Sequence, residues 1–205
     1  LTTATVGVGK NRNLALALAT GDLLLFADDD LRYEPGLAET LITAFHALPR
    51  ADVIVFGLQY ARNGRIFSDA AGDKEAFLVP GASIWHLYHC HPPVNLLRHN
   101  LHFSELFGGG CLYSYGEDTD FLLQCFRKRL KLYSYRAVIA TTDKDTSTCY
   151  TGYGEKFFFD KGALARHSLG ALALPYMLRM ARKKLDSSLS FSARMKYLWA
   201  GYQSF

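Results

Sequence analysis

The chain has 205 residues, of which 49% are hydrophobic and 20% are charged, and its formal net charge is +4. This composition is typical of a globular protein with a substantial core, and the plentiful Tyr and Phe argue against disorder over most of the length. Outside the C-terminal tail no stripe of Lys and Arg alternates with aromatic residues, so we expect no nucleic-acid partner. No apolar run approaches the roughly 20 residues that span a bilayer, and no signal peptide opens the chain.

The cysteines indicate neither a zinc site nor a disulfide framework. They are Cys90, Cys111, Cys125 and Cys149, and no two of them form a CxxC pair. Reduced cysteines are typical of the cytoplasm, so we expect a cytoplasmic protein. Because the chain begins with Leu1 rather than Met, we also expect a fragment or a processed form of a longer protein.

The first predicted element is a helix over 11–20. Apolar residues recur there at helical spacing, and either Asn11 or Asn13 would cap the first turn. The residues predicted to share one buried face are Leu14, Ala15, Leu18 and Ala19. Gly21 then ends the helix.

Strands and helices alternate in the next part of the chain. The run LLLFA (23–27) predicts a strand buried on both faces, and 36–48 predicts a helix. The β-branched and aromatic segment 52–60 predicts a second strand, followed by a tight hairpin turn at 62–65. This order predicts an α/β fold with a mixed, mostly parallel sheet flanked by helices.

The second half predicts one more helix and strand and then a helical end. Segment 119–130 has the spacing of an amphipathic helix, and 131–142 has the composition of a strand. The inward residues predicted for this helix are Phe121, Leu122, Cys125, Phe126 and Leu130. A helical pattern then runs from 161 to 199, with breaks at Pro175 and at 186–190.

Three consecutive aspartates, Asp28, Asp29 and Asp30, follow the first predicted strand directly. Ligands of open α/β sheets gather beyond the carboxyl ends of the strands. Because side chains alternate along an extended backbone, Asp28 and Asp30 can point the same way, and two converging carboxylates suit Mg²⁺ or Mn²⁺. A solvated acidic turn ahead of the helix at 36–48 explains the triplet equally well.

A second acidic cluster, GEDTD, follows the three glycines Gly108–Gly110. Glu117 and Asp118 lie where the next helix begins, and there the helix dipole and the capping N–H groups lower the pKa of a carboxylate. Such a carboxylate can accept a proton from a sugar hydroxyl. The alternative is a capping cluster that only starts the helix, and the cluster alone does not decide between the two.

The order and spacing of the two clusters resemble the family 2 glycosyltransferases of the GT-A fold. The stretches GVGKNRNLALALATGDLLLFADDDLRYEPG and LHFSELFGGGCLYSYGEDTDF carry the resemblance and cover about a quarter of the chain. It implies a Rossmann-like GT-A domain over 1–160 and a C-terminal helical extension over 161–205. It also implies a nucleotide-diphosphate sugar donor, a saccharide or lipid-linked acceptor, a Mn²⁺ or Mg²⁺ ion and, in inverting members, displacement in one step.

The resemblance assigns a role to each residue at a matching position. Asp30 and Asp28 would hold the metal, while Asp28 and Asp29 would contact the donor. Asp118 would be the general base for the acceptor hydroxyl, with Glu117 as its neighbour. The other residues near the nucleotide or donor sugar would be Lys10, Arg12, Gly109 and Gly110. An exposed helix start explains Lys10 and Arg12 nearly as well.

Two features depart from the family pattern. Members usually begin with a strand–helix–strand unit that carries an aspartate for the nucleotide base, and this unit would lie before Leu1. By this comparison the chain would lack part of the donor site. Members often also have a late His as a metal ligand, for which His167 is the candidate by position and Asp143 and Asp145 are rivals.

Two later segments each allow two interpretations. Residues 152–164 fit either a lid over the donor or the start of a helix with buried Phe residues, and we favour the helix. The tail at 175–199 mixes basic and apolar residues, which fits peripheral binding to the inner face of an anionic membrane. It also fits packing on the domain or on a second subunit in a homodimer.

Two other classes of function compete with a glycosyltransferase of polysaccharide or glycan biosynthesis. A metal-dependent nucleotidyl or phosphoryl transferase would use Asp28–Asp30 but has no evident need for the second acidic cluster. The chain has no P-loop pattern, which disfavours nucleotide hydrolysis. The third class is a non-catalytic glycosyltransferase-like binding domain that has lost its donor site.

Overall fold

The computed structural model describes residues 6–28, 30–61, 64, 66–67, 76–78, 93–94, 100–142 and 152–205. Its helices are α1 (Val8–Leu18), α2 (Leu37–Ala47), α3 (Glu117–Arg127), α4 (Glu155–Leu169), α5 (Ala173–Arg182) and α6 (Phe191–Ser204). Its strands are β1 (Leu24–Leu25), β2 (Leu31–Tyr33), β3 (Val53–Tyr60), β4 (Ile66–Phe67), β5 (Ala76–Leu78), β6 (Pro93–Val94) and β7 (Leu132–Thr142). A 3-10 turn at Gly170–Leu172 joins α4 to α5.

The described residues group into two compact units. The sheet unit, Ala15–His102 with Phe121–Ser147, contains all the strands given above. The helical unit, Leu1–Leu14 with Phe103–Asp120 and Thr148–Phe205, contains α4, α5 and α6. The division of the chain at residue 160 stays a prediction.

The sheet is mixed, with the strand order β1-β6-β3-β7-β2, while β4 pairs with β3 and β5 pairs with β7. The long central strands β3 and β7 are parallel, and the other pairings among the described strands are antiparallel. The expectation of a mostly parallel sheet therefore holds for the longest pair and is wrong for the short strands around it. One of them, β4, follows β3 across the predicted hairpin, a connection that produces antiparallel pairing.

The core of the sheet unit lies between α2 and the strands β3 and β7. Its buried side chains are Leu41, Ala44, Ile54, Phe56, Tyr135 and Ile139. The predicted strands at 52–60 and 131–142 and the helix at 36–48 are thus confirmed. The strand predicted at 23–27 is shorter in the structure, where β1 covers Leu24 and Leu25 and both are half-buried. Among the described strands, β1 lies at the end of the strand order and pairs with β6.

Helix α3 confirms most of its predicted inward face. Phe121, Leu122 and Cys125 are buried, and the ring of Phe26 meets that of Phe121 edge-on. Phe126 is 47% exposed, so its predicted burial is wrong. Cys111 and Cys125 are free thiols, while Cys90 and Cys149 lie outside the described residues.

Helix α1 differs from the sequence expectation. It begins at Val8, and Leu14 and Leu18 of the predicted buried face are 40% and 58% exposed. Ala15 is also exposed and Ala19 is half-buried. Asn11 and Asn13 lie inside the helix rather than at its cap. The buried residue of the helix is instead Gly9, whose absent side chain lets the backbone of Ser104 approach.

Helices α4 and α6 pack so closely that their backbones touch. Gly162 of α4 faces the backbone of Leu198, and Gly201 of α6 faces the backbone of Phe159. Pro175 lies in the first turn of α5, where no helical hydrogen bond is lost, so the break predicted there is wrong. None of the described helices has the length and the apolar character needed to cross a membrane.

Candidate active site

The acidic pair Glu117 and Asp118 lies in the first turn of α3. Gly116, directly before the pair, has φ of +120°, which favours glycine. A Cβ at Gly116 would also lie 2.8 Å from Cδ2 of Leu164 in α4. The carbonyl of Gly116 accepts a hydrogen bond from the N–H of Asp120 at 2.8 Å. The start of α3 is therefore fixed by backbone conformation and by contact with α4.

Arg12 of α1 forms an ion pair with Asp118. Its Nη1 donates to Oδ1 at 2.8 Å, and the two side chains are 12% and 26% exposed. The guanidinium also lies over the ring of Phe103, at 5.0 Å from the centroid. Asn13 makes two hydrogen bonds to the Phe103 backbone, at 2.7 and 2.9 Å, which hold this ring in place. Arg12 thus orients Asp118, and its predicted contact with the nucleotide stays a prediction.

Glu117 behaves differently from the sequence expectation. Burial, and after it the negative charge of Asp118, raises the pKa of Glu117 from its ordinary 4.5 to about 7. The positive charges of Arg12 and Lys161 act in the opposite direction. The expected lowering by the helix start is therefore wrong for Glu117, because desolvation of its carboxylate outweighs the backbone N–H groups.

Lys161 of α4 is a buried cation near this carboxylate. Lys161 is only 4% exposed. Its Nζ lies 5.9 Å from the ring centroid of Tyr115 and 5.5 Å from that of Phe157. Burial lowers the pKa of Lys161 to about 8, against the attraction of Glu117 and Asp160. Sequence analysis missed this lysine.

Asp160, the neighbour of Lys161 in α4, is fully buried. Its Oδ2 accepts a hydrogen bond from the backbone N–H of Ser114 at 2.8 Å, and its Oδ1 pairs with Lys156. The signal that could have revealed it is a charged Asp-Lys pair inside an apolar helical stretch, FFFDKGALA. The same stretch confirms the helical interpretation of 152–164, with Phe158 buried.

His167, the candidate late metal ligand, lies against Asp120. Its Nε2 is 3.4 Å from Oδ1 of Asp120, and its ring packs on Phe107 and Phe205. The same oxygen of Asp120 accepts a hydrogen bond from the hydroxyl of Ser168 at 2.8 Å. Asp120 and Ser168 are both buried, so these three residues join α3 to α4.

The glycine loop before α3 packs on the start of α1. Gly108 has φ of +105°, and a Cβ there would crowd the side chains of Val8 and Glu117. The carbonyl of Gly109 accepts the N–H of Val8 at 2.9 Å, and Gly110 lies against the backbone of Gly7. The loop thus places Glu117 next to the segment that carries Arg12. Lys10 is exposed on α1.

Comparison with known sequences gives a family match for the first part of the chain. Residues 1–102 match the family described as Glycosyl transferase family 2. The chain is thus similar to glycosyltransferase family 2 over 102 of its 205 residues. The matched segment contains Asp28–Asp30 and Arg12, and it ends before Glu117.

A crystal structure of TarS from S. aureus, comprising residues 1–349, has the same fold as this chain. The TM-score is 0.55 at 19% sequence identity, and the match covers all of this chain and 54% of TarS 1–349. The chain therefore spans about half the length of that structure. At this identity the likeness confirms the predicted GT-A type of α/β fold. No curated protein sequence matches the chain.

The aspartate triplet lies in the sheet unit, within the segment that matches the family. Asp28 is half-buried, its backbone carbonyl accepts the hydroxyl of Tyr33 at 3.5 Å, and Asp30 is exposed ahead of β2. The candidates outside the described residues are Asp29, Asp143 and Asp145. Among the described side chains, no three His, Cys, Asp or Glu could together hold a metal ion. Asp28 and Asp30 still suit Mg²⁺, which is usually held by one or two carboxylates plus substrate phosphates.

Proposed function

We propose that the protein transfers a sugar from a nucleotide-diphosphate sugar to a hydroxyl of a saccharide or lipid-linked acceptor, in polysaccharide or glycan biosynthesis. The observation that carries the proposal is the acidic pair: Asp118 is partly exposed and oriented by Arg12, and Glu117 is more buried beside it. An oriented, accessible carboxylate is what removal of a hydroxyl proton requires. The family match over residues 1–102 favours sugar transfer over nucleotidyl transfer.

In the proposed reaction, Asp118 takes the proton of the acceptor hydroxyl while the hydroxyl oxygen attacks the anomeric carbon. The bond from that carbon to the diphosphate oxygen breaks, so the nucleoside diphosphate leaves with the electron pair and the anomeric configuration inverts. Because Arg12 engages Oδ1 of Asp118, we assign the proton to Oδ2. Glu117 contributes as the neighbour that shapes the charge around Asp118.

On the donor side, we propose that Asp28, Asp29, Lys10 and Arg12 bind the nucleotide and that Gly109 and Gly110 line the sugar pocket. Asp30 and Asp28 would hold Mn²⁺ or Mg²⁺ together with diphosphate oxygens. The metal, when bound, would neutralise the negative charge on the leaving diphosphate. Arg12 would then have two partners, the donor and Asp118.

The test is a transfer assay on a panel of UDP-, GDP- and TDP-sugars, with Mn²⁺ or with a chelator present. We expect release of a nucleoside diphosphate from one donor, and we expect chelation and Asp30→Asn each to reduce that release at least 10-fold, because both remove the metal. The Asp22→Asn variant, at an exposed acid between α1 and β1, is the matched control and should keep full activity.

The released nucleotide separates the competing functions. A nucleotidyl transferase would release pyrophosphate or a nucleoside monophosphate in place of the diphosphate. A binding domain that has lost its donor site would show neither a product nor donor-dependent thermal stabilisation. Either result would contradict the proposed sugar transfer. Transfer activity that is unchanged by chelation would contradict the proposed metal site.

We also propose that the exposed part of 175–199 contacts an anionic membrane on its cytoplasmic side. Five residues of this segment are buried in the helical unit and so make no such contact: Tyr176, Met177, Met180, Ala181 and Leu198. Support comes from the exposed cations of the segment, which are Arg179, Arg182, Lys183, Lys184 and Lys196.

The membrane proposal predicts binding to phosphatidylserine vesicles and none to phosphatidylcholine vesicles in a sedimentation assay. Lys183→Ser/Lys184→Ser should weaken binding roughly 10- to 100-fold, because each basic residue near the surface contributes about 1 kcal/mol. Equal binding to both vesicles, or binding to neither, would contradict the proposal. A doubled mass in light scattering without vesicle binding would favour the homodimer.

A further inference from the structure

One face of α4 fixes the backbone that leads into the acidic pair. Leu164 packs against Gly116 so closely that a Cβ at Gly116 would lie 2.8 Å from it. Asp160 accepts the N–H of Ser114 at 2.8 Å. Lys161 follows Asp160 in the same helix and lies over the ring of Tyr115. Contacts from α4 thus reach each of the three residues that precede Glu117.

Within this contact, Lys161 is the residue whose burial needs an explanation. A buried ammonium is unfavourable unless carboxylates compensate its charge. The charged groups that act on Lys161 are the carboxylates of Glu117, Asp160 and Asp118 and the ammonium of Lys183. Asp160 already receives the N–H of Ser114 and the ammonium of Lys156, which leaves Glu117 as the carboxylate with the greater need of a cation.

The charges around Glu117 lead to the same pairing. Asp118 repels its carboxylate, and Arg12 and Lys161 attract it. Arg12 donates directly to Asp118, so its charge is already engaged by the neighbouring acid. Lys161 approaches from α4 and Arg12 from α1, so a cation from a different helix serves each member of the acidic pair.

We propose that Lys161 is a positioning residue, which from α4 compensates the charge of Glu117 and so keeps the acidic pair oriented for deprotonation of the acceptor by Asp118. The role in deprotonation rests on the proposed function, whereas the pairing of Lys161 with Glu117 does not. Lys161 acts through Glu117 and need not touch the substrate. Its ammonium keeps two adjacent carboxylates close together, where they would otherwise repel each other.

The first test measures the melting temperature of Lys161→Met, Glu117→Gln and the double variant at pH 5 and pH 7.5. Glu117 has its folded pKa raised to about 7, so the stability linked to its protonation is present below pH 4.5 and is lost as the pH rises through 7. Removing Lys161 makes this loss larger. Lys161 itself, with a folded pKa of about 8, stays mostly protonated over this range.

We expect Lys161→Met to lower the melting temperature by roughly 6 °C or more at pH 7.5 and by clearly less at pH 5. The double variant should recover at least half of the loss, because Gln carries no charge to compensate. Lys196→Met is the matched control, because Lys196 is an exposed lysine of α6 in the same unit. Its effect should be small and the same at both pH values.

The second test measures kcat/KM of sugar transfer against pH. The part of the pH profile that reports ionisation of Glu117 should move up by about one pH unit in Lys161→Met and stay in place in Lys196→Met. If the pH-dependent loss of stability and its rescue occur without transfer activity in any variant, the pairing holds and the proposed function fails. If Lys161→Met loses the same stability at both pH values and Glu117→Gln gives no rescue, the proposal is wrong.

Discussion

Asp118→Asn is expected to lower kcat for sugar transfer by roughly 10²- to 10⁴-fold, the usual contribution of a general base. Asparagine has the same shape, and its amide oxygen can still accept the hydrogen bond that Arg12 donates to Asp118. It cannot take up the proton of the acceptor hydroxyl. The KM for the donor should therefore change little while kcat falls, in steady-state assays at saturating acceptor.

A matched control for Asp118→Asn is Glu105→Gln, which removes an exposed negative charge from the same unit. Its kcat should stay within a factor of two, and both variants should melt within a few degrees of wild type. If Asp118→Asn retained a tenth or more of the wild-type kcat, Asp118 would not be the base. If Asp118→Asn lost both activity and folded structure, the variants Asp118→Ser and Asp118→Glu would show whether the loss of the base or the loss of the fold abolishes transfer.

Gly162→Ala and Gly201→Ala are each expected to destabilise the fold by about 3 kcal/mol or more, at the severe end of overpacking substitutions. At both positions the added methyl group would meet a backbone carbonyl of the facing helix, and a backbone cannot move aside as a side chain can. In an open helix, replacing Gly by Ala would instead stabilise by up to about 1 kcal/mol. The sign of the effect is therefore diagnostic of the contact between α4 and α6.

Thermal or urea unfolding checks this prediction, with an expected fall in melting temperature of roughly 6–12 °C for each variant. Gly154→Ala is the control, because no atom lies within 4 Å of a Cβ built there and its φ of −86° suits any residue. It should change the stability by less than about 1 kcal/mol, as expected for a Gly at a helix start. Unchanged or higher stability in Gly162→Ala and Gly201→Ala would show that the two helices are further apart.

The spacing of apolar residues correctly predicted the helices and strands that are buried through their own apolar face. Helix α2 and the strands β3 and β7 are where apolar spacing placed them, because they pack on one another through that spacing. Helix α1 was different, since it is fixed by Gly9 and Asn13 against the segment around Phe103. The anchors of α1 are small or polar and their partners are distant in sequence, so no apolar period could reveal them.

The candidate site divides in the same way. Glu117 and Asp118 were found because an acidic cluster after glycines is visible in the sequence, and Arg12 because it lies in the stretch that resembles the family. Asp160 and Lys161 were missed, since a charge is tolerated in an apolar helix only when partners elsewhere compensate it. The raised pKa of Glu117 was missed as well, because it depends on burial in the folded chain.

If 103–120 meets the acceptor, as the proposed function requires, helix α4 also limits how acceptor preference could change by exchange of segments between relatives. The segment 103–120 carries the acidic pair, but its conformation and charge depend on Asp160, Lys161 and Leu164. The same helix depends on α6 through Gly162. A chimera that imports 103–120 alone would bring carboxylates without the cation that matches them. The segments that must be exchanged together are therefore not contiguous in sequence. A functional chimera would need 103–120 together with the helices at the end of the chain.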